Sequence, residues 1–211
     1  MKQSCNIIIQ GFGKVGSTIA KILDEQGCKI LAVSDSTGGL YSEGGLEIKK
    51  ITEWKQKGNQ FKNFQSKAIK NVSISEIFNF ECDIIIPAAI ENQITSKNVD
   101  DIKCKIILEG ADGPVTSQAD KVLNKKSIIL VPDILANSGA LIVSYFEYIQ
   151  NINTYFWNLE RVNKEMKSIL LEAFDKVWNL SKEKKTSLRN AAYMIAIGNV
   201  ARSHELRGLF P

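Results

Sequence analysis

Five short runs of apolar, largely β-branched residues punctuate the first two-thirds of the chain, at residues 6–10, 29–34, 83–87, 105–109 and 127–132. Each is apolar throughout rather than alternating, which is how a strand covered on both faces reads. The longer mixed segments between them, 15–26, 46–57, 96–102 and 117–124, predict helices. Strands alternating with helices indicate an open α/β fold with a parallel sheet. The polar stretch 58–72, anchored by Phe61 and Phe64, predicts a loop or an irregular strand. After Pro132 the pattern changes. Asn137-Ser138-Gly139 predicts a turn into a helix that ends near Gln150, broken by Asn151-Ile152-Asn153. Residues 158–184 and 187–206 predict two more helices. The first of these carries Met166, Ile169, Leu170, Ala173, Phe174, Val177 and Trp178 at spacings of one, three and four.

Composition narrows the function classes. The net charge of +4 is spread along 211 residues, without the clustered basic face that nucleic acid requires. His204 is the only histidine, and Cys5, Cys28, Cys82 and Cys104 form no C-x-x-C pair, so neither a zinc site nor a histidine-dependent nucleophile is expected. The cysteines read as reduced residues beside strands. No apolar stretch is long enough to span a bilayer, and the apolar residues at the N-terminus are too few for a secretory signal. A cytoplasmic protein without membrane or nucleic-acid partners is the expectation. Trp54, Trp157 and Trp178 fit packing roles, and residues 182–185 fit a solvated helix end.

The chemistry concentrates where the first strand meets the first helix. Gly11-Phe12-Gly13-Lys14-Val15-Gly16 follows the strand directly and opens the helix. In a glycine turn so placed, the first glycine permits the tight turn and the second lets the backbone approach a pyrophosphate. The third lets the helix pack close to the sheet. The helix N-terminus offers free N–H groups to the phosphates. The second strand ends at Asp35, 19 residues beyond Gly16, where a carboxylate can accept hydrogen bonds from the adenosine ribose. Ser36, Thr37, Gly38 and Gly39 follow it, with no arginine beside it. The pattern predicts a Rossmann-like domain that binds NAD, with NADP as the alternative, since Ser36, Thr37 and Lys14 could hold a 2′-phosphate.

These residues, taken with others downstream, resemble the coenzyme domain of glutamate dehydrogenases, within the glutamate/leucine/phenylalanine/valine dehydrogenase family. The resemblance is carried by Gln10 through Gly16, by Ser34 through Gly39 with Gly44-Gly45-Leu46, and by Pro87 through Thr95. It continues through Glu109-Gly110-Ala111-Asp112-Gly113-Pro114, Pro132 through Gly139, and Val143 through Glu147. It ends with Arg189 through Ala196 and the terminal Arg207-Gly208-Leu209-Phe210-Pro211. It implies coenzyme contacts at Gly11, Phe12, Gly13, Lys14, Val15, Gly16, Asp35, Ser36, Ala88, Ala89, Gln93, Gly110, Ala111, Asp112 and Asn137. Leu141 and Ser144 would line a pocket for the substrate side chain.

The expected organisation is an α/β, Rossmann-like domain over 1–150 with an open, mainly parallel sheet and helices on both faces. C-terminal helices over 151–211 complete the same domain. The family's other domain, with the lysines and aspartate that act on the amino acid, is expected to be absent from this chain. The expectation is therefore coenzyme binding without turnover by the chain alone, and no catalytic residue or metal ligand is assigned. A separate substrate domain, or self-association through the C-terminal helices, is the expected partner. The sequence departs from the family at Asp112, where Asn is usual, and at Ala140-Leu141-Ile142, where Gly-Val-Thr is usual. An ionised Asp cannot donate as Asn does, and Leu141 crowds a pocket built for Val. A stand-alone nucleotide sensor or interaction domain without catalysis is the alternative reading.

Overall fold

The computed structural model describes residues 5–208. Seven strands form one sheet. At its centre lies β1 (Asn6–Gln10), parallel to β2 (Lys29–Asp35) on one side and to β5 (Ile84–Pro87) on the other. Beyond β5 come β6 (Ile106–Leu108), parallel to it, and β7 (Ile129–Val131) at the edge. Beyond β2 lie β3 (Gly38–Tyr41) and β4 (Lys70–Val72), both antiparallel to their neighbours. The sheet is thus the open, mainly parallel one expected, with an antiparallel edge. Strand β3 is not among the five runs read from the sequence. Gly38 and Gly39 pair with Asp35 and Ser34 of β2, and Gly39 sits so close to Val72 of β4 that an added Cβ would lie 2.9 Å from its side chain.

The apolar runs are continuous because the central strands are buried on both faces. Ile7 and Ile9 pack with Ile30 and Val33 against Ala20 of α1 (Lys14–Glu25) and Ile51 of α2 (Ile48–Gln56). The intervening Ile8 packs the other way, with Leu31, Ile85 and Ile107, against Ala119 and Leu123 of α3 (Ser117–Lys125). Each of these isoleucines, leucines and valines contributes about 1.5–3 kcal/mol on burial. Thr116 caps α3 by accepting from the Ala119 N–H. The helix expected over 96–102 does not form. Asn98 takes the Thr95 N–H on its Oδ1 at 2.8 Å and gives its Nδ2 to the Gln93 carbonyl, so the segment is a run of turns. Local side-chain bonds to the backbone compete there with the helix.

The described chain groups into two compact units, one reaching to Leu130 and one beginning at Val131. The second is helical: α4 (Asp133–Ala136), α5 (Gly139–Asn153), α6 (Leu159–Lys184) and α7 (Leu188–Arg207). Its core joins Leu135, Val177, Leu188, Ala191 and Ala192, and Arg189 pairs with Asp133 at 3.2 Å. Helix α5 runs three residues past the end expected at Gln150, to a left-handed Thr154, so residue 150 lies inside an unbroken helix. Asn158 and Ser187, expected as the first residues of two helices, instead cap α6 and α7 from the position before them.

All four cysteines are free thiols. Burial pushes Cys104 up to about 12 and Cys82 higher still, which keeps both protonated and unreactive at neutral pH. No group of three or more metal-ligating side chains occurs among the described residues, and none of their helices is long and apolar enough to cross a membrane. Residues 209–211, which end the family-like C-terminal motif, lie outside the described residues.

Candidate functional site

The carboxyl ends of β1, β2 and β5 open onto a cleft of about 500 Å³, within the range of small-molecule sites. Such sites sit where strand order reverses, here at the central β1 between β2 and β5. The floor of the cleft is the glycine turn. Gly11 has φ +96°, and a Cβ there would come within 2.8 Å of the Ala88 carbonyl oxygen and the Ala89 nitrogen, so both backbone angle and space demand glycine. Gly16 is tighter still: its Cβ would lie 1.9 Å from the Gly11 oxygen, because α1 begins directly against the turn. Gly13 has open space at its Cβ position.

Helix α1 starts without a side-chain cap and without an acidic residue in its first turn. Its orphan N–H groups and positive dipole end therefore favour an anion. The turn is held from below, where the Gly11 N–H donates to Ser34 Oγ at 3.2 Å and the Ala88 N–H donates to the Gln10 carbonyl at 2.7 Å.

Asp35 closes one end of the cleft. Its Oδ1 accepts from the Thr37 N–H at 2.7 Å and the Thr37 hydroxyl at 2.6 Å. Its Oδ2 accepts from Lys55 Nζ at 2.6 Å and the Phe61 N–H at 3.2 Å. Burial pushes the carboxyl upward, but the bonds from Lys55, Thr37 and Phe61 together outweigh it and hold Asp35 below the usual carboxylate range. At the other end, Gln10 is 2% exposed and donates through Nε2 to Gln93 Oε1 at 2.6 Å. Gln93 in turn donates to the Glu91 carbonyl at 2.9 Å, which fixes the polarity of both amides. Gln10 Oε1 is left buried without a hydrogen-bond partner.

Of the residues singled out from the sequence, Gly11, Phe12, Gly13, Asp35, Ser36, Ala88, Ala89 and Gln93 line this cleft together. Lys14, Val15 and Gly16 follow in the first turn of α1. Gly110 and Ala111 lie in the turn after β6 and donate their N–H groups to the Pro87 carbonyl, both at 3.0 Å, with Asp112 next in chain. Asn137, Leu141 and Ser144 belong to the second unit, where Asn137 ends α4 and the other two lie exposed on α5. Sequence reasoning did not assign Gln10, Ser34, Lys55, Ile74 and Ile90, which also line the cleft. Gln10 and Ser34 adjoin the motif at strand ends and were findable. Lys55 carries no local signal, since α2 brings it to Asp35 across 20 residues.

The family model for glutamate/leucine/phenylalanine/valine dehydrogenases matches residues 1–208. The chain is 41% identical to the NAD-specific glutamate dehydrogenase of Staphylococcus aureus (strain COL), over 98% of this chain and 49% of that protein. It is 40% identical to the catabolic NAD-specific glutamate dehydrogenase RocG of Bacillus subtilis (strain 168), covering 98% and 48%. Among solved structures, the hetero-hexameric glutamate dehydrogenase of Thermus thermophilus in its leucine-bound form superposes with a TM-score of 0.90 at 25% identity, covering 99% of this chain and 49% of that one. The glutamate dehydrogenase of Peptoniphilus asaccharolyticus gives a TM-score of 0.79 at 32% identity, covering 97% and 47%. The chain spans about half the length of the curated relatives it matches.

Proposed function

The chain belongs to the glutamate/leucine/phenylalanine/valine dehydrogenase family, and from that premise we propose that it is the coenzyme-binding half of a glutamate-dehydrogenase-type oxidoreductase that uses NAD. The observation that carries the reading is the cleft itself: an uncapped helix N-terminus on a glycine turn, with Asp35 at the end of the neighbouring strand. When bound, the coenzyme supplies the hydride acceptor for oxidative deamination of L-glutamate to 2-oxoglutarate in the whole enzyme. This chain's residues bind and orient it. The N–H groups at the start of α1 hold the pyrophosphate, and Asp35 and Ser36 hold the adenosine side. Ala88, Ala89, Gln93 and the turn from Gly110 to Asp112 hold the nicotinamide side. The family resemblance gives Asn137 a coenzyme contact and Leu141 and Ser144 substrate contacts.

Deamination needs a proton acceptor and a clamp for the amino-acid carboxylate next to the ring. The ionisable residues lining the cleft are Asp35 and Lys55, which are paired with each other. The chemical groups must then come from a substrate domain, which docks on this half or is joined to it. The exposed apolar residues Met194, Ile197 and Val200 of α7, with Tyr145 and Tyr148 of α5, suit docking or self-association. We place the coenzyme domain at 1–150, with the C-terminal helices of 151–211 completing it.

Calorimetric titration with NADH tests the reading. Binding at micromolar to sub-millimolar concentration is expected. No heat at millimolar NADH would leave the turn as architecture only. Mixing with a relative's substrate domain should then restore glutamate-dependent NADH formation, while the chain alone remains inactive.

A Gln10→Met variant gives a second test. It removes an unsatisfied buried oxygen, which costs about 1–3 kcal/mol, and one hydrogen bond worth about 1 kcal/mol. The Tm should hold or rise by a few degrees, while NADH binding weakens severalfold because Gln93 loses its anchor. A clear fall in Tm with unchanged binding would make Gln10 a purely structural residue.

A further inference from the structure

The adenosine end of the cleft holds a cation that the glycine-turn pattern does not call for. Lys55, in the last turn of α2, pairs with Asp35 at 2.6 Å, the two side chains being 28% and 8% exposed. Its ammonium also lies 5.1 Å from the centre of the Phe61 ring, at cation–π distance.

The pairing changes what Asp35 can do. An ionised carboxylate offers about four lone-pair sites. Here Thr37 takes two of them, and Phe61 and Lys55 take one each. A ribose diol arriving at Asp35 must therefore displace a donor. Two of the four are backbone N–H groups, and the Thr37 hydroxyl sits two residues from Asp35. Lys55 alone stands on a long flexible stem, so it is the donor that yields. Its charge then remains at the mouth of the cleft, beside the ribose. A bare Asp35 would repel a 2′-phosphate, but the Asp35–Lys55 pair has no net charge, and the displaced ammonium offers that phosphate a partner.

We propose that Lys55 is a specificity-determining residue that relaxes coenzyme choice, so that the site accepts NADPH alongside NADH by pairing with the 2′-phosphate. The proposal rests on reading the cleft as a dinucleotide site. It does not follow from the relatives, whose names specify NAD.

The test is calorimetric titration of the full chain, as wild type, Lys55→Met and Lys55→Arg. Four ligands are used: NADH, NADPH, AMP and adenosine 2′,5′-bisphosphate. Wild type is expected to bind both coenzymes. Lys55→Met should lose about tenfold for NADPH and for the bisphosphate, while NADH and AMP hold or tighten, since Asp35 is freed for the ribose. Lys55→Arg should keep NADPH binding. Thermal melting of each variant accompanies the titrations. An unchanged ratio of NADPH to NADH affinity in Lys55→Met, with or without a fall in Tm, overturns the proposal and leaves Lys55 a structural partner of Asp35. Wild type that binds NADH but no 2′-phosphorylated ligand overturns it too, while the dinucleotide reading stands. Wild type that binds none of the four removes that reading and this assignment with it.

Discussion

Gly16→Ala is expected to abolish NADH binding and lower the Tm, whereas Gly13→Ala should abolish or strongly weaken binding at nearly unchanged Tm. The two glycines share one motif but face different neighbours. A Cβ on Gly16 would sit 1.9 Å from the Gly11 carbonyl oxygen and 2.9 Å from its carbon, both backbone atoms of the turn. Nothing flexible can give way, so the start of α1 must move off the sheet. Overpacking of this kind costs about 1–3 kcal/mol or more, which is roughly 2–12 °C in a chain of this size. The displaced helix no longer aims its N–H groups into the cleft. Gly13 has no atom within 4 Å of its Cβ position and an ordinary φ of −81°. An alanine there costs the empty protein almost nothing. It fills only the space through which a pyrophosphate would approach the backbone. Melting curves and NADH titrations of both variants check this. Wild-type affinity in Gly13→Ala would mean that the coenzyme does not come close to the turn.

Asp35→Asn should lose about tenfold to a hundredfold in NADH affinity, since hydrogen bonds to a charged group contribute about 1.5–3 kcal/mol. It should also destabilise the fold. The carboxylate ties β2 to Lys55 of α2 and to the Phe61 backbone, and an asparagine there keeps one acceptor oxygen while its NH2 group faces the donors on one side, Thr37 or Lys55 and Phe61. Breaking a fully buried pair costs about 3–5 kcal/mol. Lys55 can swing into water, so about 1–3 kcal/mol is expected, or roughly 2–12 °C in Tm. The pH dependence carries its own sign. Lys55, Thr37 and Phe61 together hold the folded Asp35 below its usual value against the upward push of burial. The stabilisation is therefore fully present at neutral pH and is lost as pH falls from about 4, the unfolded value, through the lower folded one. The Tm gap between wild type and Asp35→Asn should be constant from pH 7 to pH 5 and close below about pH 4. A gap that persists in acid would place the stabilisation outside the charge.

Much of this was readable along the chain. The run Ile7-Ile8-Ile9 needed no partner to declare a strand buried on both faces, because consecutive side chains of a strand point to opposite sides. The helix starts expected at 117, 158 and 187 fell within one residue of the observed ones, where Thr116, Asn158 and Ser187 accept from N–H groups three residues on. Gly11-x-Gly13-x-x-Gly16 located the cleft because its place between a strand and a helix is a local pattern, and Gly16 is demanded within the turn itself, by the Gly11 oxygen. The segment 96–102 misled because its apolar residues recur at helical spacing, while Asn98 binds the backbone of its own turn.

Tertiary structure decided the rest. That Gly38 and Gly39 form a strand depends on their pairing with Asp35 and Ser34 of β2, with β4 adding Val72 beside Gly39 from about 30 residues away. That Asp35 has four donors depends on the loop carrying Phe61 and on the helix carrying Lys55. That Gln10 touches Gln93 depends on β5 lying beside β1, across 83 residues. The central parallel strands and the glycine turn were legible along the chain, because periodicity and turn geometry act over a few residues. The charge balance at Asp35 and the amide chain at Gln10 were settled only by the order of strands in the sheet, because contacts between distant residues exist only once that order has brought them together.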